Sequence, residues 1–137
     1  MSVNGVNRAS PVDIAVSGLR AQSLRMNVIT GNIANSSTTR TDGGGPYRRQ
    51  DVVLSTNAEQ MGGVDIMEVA SDPNAVLKTI YQPGHPNADA DGFVQVSNVE
   101  LPVEMMNLVA ASRAYQANAA VLKRYQELSD VTLELLR

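Results

Sequence analysis

Each end of the chain carries a long amphipathic helix pattern, and nothing between the two is large enough to cover both. The first predicted helix runs from about Pro11 to Asn35, where Val12, Ala15, Leu19, Gln22, Met26, Ile29 and Ile33 recur at alternating spacings of three and four, the period of a helix seam. Ser10 is placed to cap it and Pro11 suits its first position. Asp13, three residues after Ser10, completes a capping-box pattern and sets a negative charge at the positive end of the helix dipole. The second predicted helix runs from about Pro102 to the last residue. Leu108, Ala111, Tyr115, Asn118, Leu122 and Tyr125 form one stripe, and Val121, Leu128, Val131 and Leu135 an overlapping one, so its apolar face is unusually wide.

At ~1.5 Å per residue the second helix would be on the order of 50 Å long and the first roughly 40 Å, longer than a compact domain of this size is wide. An antiparallel hairpin of the two would bury one seam and leave the second stripe of the C-terminal helix wet. Large exposed apolar surface marks an interaction site, so burial against other copies or partners is the expected outcome. The terminal helices are expected to order on assembly, with the insert at most partly folded before it.

After Asn35, the polar stretch Ser36 to Asp42 and the run Gly43-Gly44-Gly45-Pro46 predict a turn. Strands are predicted at about Tyr47 to Ser55, Gly63 to Ala70, Val76 to Tyr81 and Gly92 to Ser97, broken by Met61-Gly62-Gly63, Asp72-Pro73-Asn74 and Pro83-Gly84-His85-Pro86. Four short strands make a small sheet or extended hairpins that need a surface to rest on. The fold class is therefore α+β: two long terminal helices forming a coiled-coil-like pair, residues 1–35 and 99–137, with a small β-rich insert at 36–98.

A length of 137 residues suits one domain, and a hydrophobic share of 43% suits a globular class. With one Phe, no Trp and four Tyr, the core must come from aliphatic residues, Met and Ala, which suits helix seams better than a thick globular centre. Zero cysteines exclude a disulfide framework and thiolate metal sites, and leave the compartment open. The opening MSVNGVNRASPVD lacks the basic-then-apolar layout of a secretory signal, and no run approaches the ~18 apolar residues of a membrane span. A chain of this kind that leaves the cytoplasm is expected to use another route.

Residues 1–50 hold six Arg against two Asp, and residues 51–102 hold eight acids against one Lys. That asymmetry fits complementary contact between copies, or equally two solvated faces of a mixed surface. The scattered arginines, without aromatic interleaving, argue against nucleic-acid binding.

Candidate chemistry is sparse. The triple glycine lacks the Lys-Ser/Thr of a phosphate-binding loop. Asn87-Ala88-Asp89-Ala90-Asp91-Gly92 opens like a calcium loop, but position twelve is Asn98 where a bidentate Glu is needed. A tight polar turn is expected there. His85 is the single histidine, in a Pro-Gly-His-Pro turn, so no multi-histidine metal site and no paired nucleophile exists. Nothing calls for a cofactor or a small-molecule substrate. Gln22, Asn32 and Asn118 lie at seam positions, where polar residues fix register and partner choice, or else lie at the stripe's edge.

Gly31-Asn32-Ile33-Ala34-Asn35 followed by Ser36, Ser37, Thr38 and Thr39 resembles the signature that ends the N-terminal helix in the rod and hook axial proteins of the bacterial flagellum. Asn98-Val99-Glu100, Glu104-Met105-Met106 and Arg113-Ala114-Tyr115-Gln116-Ala117-Asn118 resemble that family's C-terminal signature. GGGPYRRQ at 43–50 and YQPGHPNADADGFVQVSNV at 81–99 are similar to its proximal rod members, and the insert is short, as theirs is. The resemblance implies a structural, non-enzymatic subunit of the basal-body rod in the periplasmic space. Its partners would be other rod proteins and copies of itself, and its route the flagellar type III export apparatus, which uses no cleaved signal. The seam residues Leu19, Met26, Ile29, Ile33, Asn35, Leu108, Tyr115, Asn118, Leu122, Tyr125 and Leu128 are expected to form the assembly interface.

Overall fold

The computed structural model describes residues 9–56, 62–71 and 73–136. The opening residues 1–8, the predicted turn residues Met61 and Asp72, and Arg137 at the predicted end of the second helix lie outside these. In order, the elements are α1 (Pro11–Ala34), β1 (Gln50–Thr56), β2 (Val64–Ser71), β3 (Lys78–Tyr81), β4 (Phe93–Val96) and α2 (Leu101–Leu135). The insert holds two separate two-stranded sheets, β1 with β2 and β3 with β4, so the fold is α+β with long terminal helices, as the two periodicities require.

Local chemistry sets the limits of α1. The Ser10 hydroxyl donates to Asp13 Oδ2 at 2.8 Å and accepts from the Asp13 amide at 3.2 Å, while the Ser10 amide donates to the same carboxylate at 3.0 Å. Those bonds satisfy donors that a helix start leaves orphaned, and they hold the Asp13 carboxyl below its ordinary pKa. At the other end the Asn35 side-chain amide donates to the Gly31 carbonyl at 2.9 Å and the Ser36 hydroxyl to the Ile33 carbonyl at 2.9 Å. Both share carbonyls that the last backbone amides also reach, Asn35 to Gly31 at 3.1 Å and Ser36 to Ile33 at 3.3 Å, and the second of these is the tighter i−3 bond on which the helix stops.

The chain forms two compact units: Met1–Met26, Val52–Glu68 and Ala110–Arg137 make the first, and Asn27–Asp51 with Val69–Val109 the second. In the first, the buried apolar residues are small, Ala15, Ala21, Val52 and Ala111. Small residues let backbones approach: a Cβ on Gly18 would stand 2.7 Å from Asn118 Nδ2, so α2 rests directly on α1 at this point. The approach to β2 also rests on α1. Gly62 has φ of 153° and a Cβ there would meet Ile14 Cδ1 at 2.9 Å, and the Val64 amide donates to the Ser17 hydroxyl at 3.0 Å. Only glycine combines that backbone with that closeness.

In the second unit β3 and β4 pair antiparallel, Lys78 opposite Val96 and Tyr81 opposite Phe93. The Tyr81 and Phe93 rings meet edge to face at 5.3 Å, a favourable aromatic geometry. The triple glycine forms the predicted turn: Gly44 and Gly45 have φ of 81° and 77°, and the Thr41 amide donates to the Gly45 carbonyl at 2.8 Å.

β2 keeps its predicted length one residue later, β3 starts two residues later than its pattern, and β1 and β4 start late for a visible physical reason. Tyr47 to Arg49 stay outside β1 because the Tyr47 amide donates to the Thr38 carbonyl and the Arg49 amide to Asn98 Oδ1. The Gly92 amide turns back to the Asp89 carbonyl at 3.1 Å, which delays β4 to Phe93. A backbone donor committed to a turn or a side chain is lost to the ladder.

Candidate functional site

The predicted seam residues fall at graded depths. In the first unit Leu19, Met26, Asn118 and Leu122 are half-buried, and Tyr115, Tyr125 and Leu128 are exposed; in the second, Ile29 is buried and Ile33, Asn35 and Leu108 are half-buried. Asn35 turns its amide back onto its own helix, also accepting the Thr38 hydroxyl at 3.2 Å.

Apolar side chains cover α2 beyond any one stripe. In the first unit Val121, Leu128, Val131, Leu133 and Leu135 are exposed, Leu128 to 67% and Leu135 to 83%. In the second unit the start of α2 inverts the usual pattern: Val103, Met105 and Met106 face outward, Met106 at 73% exposed, and Glu104 between them is fully buried at 0%. A helix that buries its acid and exposes its apolar residues is built to meet a further surface there.

The acid is buried because a polar cluster receives it. Arg49 Nε donates to Glu104 Oε1 at 2.7 Å, and Asn32 Nδ2 donates to Oε2 at 3.0 Å. Asn32, also at 0% exposure, uses its whole amide: Nδ2 donates a second time to the Gln50 carbonyl at 2.8 Å, and Oδ1 accepts the Gln50 amide at 2.9 Å and the Tyr47 hydroxyl at 2.9 Å. The two bonds to Gln50 imitate a strand partner, so the end of α1 seats the first residue of β1. Arg49 adds Asp51 Oδ2 at 3.3 Å, with its backbone amide held by Asn98 Oδ1 at 2.8 Å. Glu104 raises the Arg49 pKa through this bond, and burial, followed by the Glu104 charge, raises that of Tyr47. Sequence reasoning missed Glu104, Arg49 and Tyr47 as a group. Their signal was an acid inside the apolar run Val103-Glu104-Met105-Met106 and a seam asparagine at position 32.

The 87–92 segment is a tight turn held from within. Asp89 Oδ1 accepts the Asp91 amide at 3.0 Å and the Phe93 amide at 2.8 Å, and Asn87 Nδ2 donates to the Thr39 hydroxyl at 3.0 Å. His85 Nδ1 accepts the Asn87 amide at 3.1 Å. A hollow of about 450 Å³ beside the turn is lined by residues that include Thr39, Arg40, Asn87, Phe93 and Gln95. Its one lining acid, Asp89, is already committed to those amides. Among the described residues no three metal-ligating side chains cluster, and no helix is long and apolar enough to cross a membrane.

Comparison with known proteins agrees with this architecture. Residues 13–40 match the family of flagella basal body rod proteins, and residues 90–135 match the C-terminal family of the flagellar basal body rod FlgEFG proteins. The chain is 43% identical over 126 residues to the flagellar basal-body rod protein FlgC of Yersinia enterocolitica, covering 90% of this chain and 93% of that one. Against FlgC of Salmonella typhimurium the identity is 42% with the same coverage, and against FlgC of Borreliella burgdorferi it is 36% over 148 residues, 93% of this chain and 97% of that one.

Proposed function

The chain belongs to the FlgC family of flagellar basal-body rod proteins and is a structural subunit of the rod; within it, we propose, the two helices line a tube around the export channel and carry motor torque by burying their apolar faces on neighbouring subunits. The observation that carries this reading is the exposed apolar face of α2, from Val121 to Leu135. Each fully buried Leu or Val contributes roughly 1.5–3 kcal/mol, so a stripe of four supplies several kcal/mol to an interface and nothing to an isolated subunit.

In this reading residues 1–35 and 99–137 form the rod core, and 36–98 reaches outward. The neighbours are other rod proteins and copies of this chain. The interface includes Leu19, Met26, Ile29, Ile33, Leu108, Tyr115, Asn118, Leu122, Tyr125 and Leu128, with Asn35 closing the helix that presents it. The subunit crosses to the periplasmic space unfolded, through the flagellar type III apparatus, and performs no catalysis. The wide helix stripes would also suit a secreted coiled-coil interaction protein, and the 87–92 segment a calcium module, but neither reading gains from the matched families, and Asp89 Oδ1 is spent on the turn.

The test replaces Leu128 by Asp in a strain lacking the native gene. A charge in a buried interface without a partner blocks packing, so export should continue while rods fail to form and swimming is lost. Normal swimming would contradict the assignment.

A further inference from the structure

We infer that the Asn32–Glu104 pair is a folding clasp, one that closes the second unit in the free subunit before any neighbour is met and leaves only the helix segments outside that unit to order on assembly. The unit's apolar core is thin: among the described residues Ile29 and Val94 are its buried apolar side chains. What ties it together is the polar cluster, which gathers the end of α1, the start of β1 and the first turn of α2. Its bonds join residues 18, 55 and 72 positions apart.

Such a cluster closes as a whole or not at all. Glu104 has 1% of its side chain exposed and Arg49 31%, so the carboxylate is removed from water only when both the guanidinium and the Asn32 amide are in place. A half-formed cluster leaves a buried charge short of a partner, which is worse than an open, solvated one. Asn32 reports the same logic from the other side: its amide has four hydrogen-bond positions and all four are filled. Polar groups satisfied to that degree specify one arrangement and reject slipped ones, which apolar contact alone does poorly.

Among the described residues the first unit has no counterpart. Its seam glutamine, Gln22, encloses Oε1 with no partner among the described residues, and its stretch of α2 exposes leucines to 67% and more. The expectation that both helices order in full on assembly is thereby narrowed: residues 27–34 and 101–109 are held beforehand, and residues 11–26 and 110–135 wait.

The test is a double-mutant cycle on the purified full-length monomer, read by amide hydrogen exchange. In the unaltered chain, amides of 27–34, 47–51 and 101–109 should exchange on the order of ten-fold more slowly than those of 121–135. Asn32→Asp sets carboxylate against carboxylate and should remove protection from all three segments together. Glu104→Gln turns an amide donor toward the Asn32 donor and should weaken them together but less. The double substitution restores one carboxylate facing one amide with the roles exchanged, and should exchange more slowly than Asn32→Asp alone. That rescue is a readout that lost packing would not produce. Equal exchange of the two regions in the unaltered chain, unchanged protection in Glu104→Gln, or a double variant no better protected than Asn32→Asp would each overturn the clasp.

Discussion

Tyr47 shows how closely this fold depends on single polar atoms. Its hydroxyl donates to Asn32 Oδ1, and burial and the nearby Glu104 charge raise its pKa above the ordinary value of 10.0. A folded-state pKa raised above the unfolded one means stability present in full below the unfolded pKa and lost as pH rises through the folded one. Ionising Tyr47 removes the donor and sets a second negative charge beside Glu104. The second unit should therefore loosen above about pH 10, and Tyr47→Phe should abolish that alkaline phase while costing about 1 kcal/mol at neutral pH. Alkaline titration of both proteins by exchange or circular dichroism checks this; identical alkaline transitions would count against the assigned role. Gln22 is the opposite case. Its enclosed Oε1 lacks a partner among the described residues, so Gln22→Met should be neutral or raise stability by about 1 kcal/mol in a thermal melt of assembled basal bodies, where this stretch of α1 is ordered.

At the scale of elements, what the sequence made legible is what short-range chemistry decides. The start of α1 was readable because Ser10 and Asp13 are three residues apart and bond each other, and its end because Asn35 and Ser36 cap carbonyls within four residues. Strand edges were not readable, since Tyr47 to Arg49 leave the ladder for partners as distant as Asn98, 49 positions away. Glu104 escaped for the same reason: a helix periodicity assigns an acid to the wet face, and here a guanidinium from another segment reverses the face. Gly18 carries an element-level prediction. Alanine gains roughly 1 kcal/mol over glycine in a helix interior, but its Cβ would stand 2.7 Å from Asn118 Nδ2. Gly18→Ala should therefore yield less than that gain, and Gly18→Ala combined with Asn118→Ala should release it. Thermal melts of basal bodies assembled from the two variants and from Asn118→Ala, where both helices are ordered, separate the terms, and simple additivity would mean that the close contact carries no energy.

Across the whole molecule, two kinds of surface divide the work. The polar cluster of the second unit is complete within the chain, with each of its buried atoms paired. The apolar face of α2 is incomplete within it, from Val121 to Leu135, and an exposed face of that extent has its partner elsewhere. A rod subunit needs both, a part that keeps its own shape and a part whose burial depends on its neighbours. The most direct test uses the absence of cysteine from the chain: Leu128→Cys introduces a unique thiol on that face. In the purified monomer the thiol should react with a water-soluble maleimide at the rate of a free side chain, and in isolated basal bodies from a swimming strain the same thiol should be protected. Equal reactivity in monomer and basal body would contradict the account, because it would mean that the apolar face of α2 is still in water after the rod has formed.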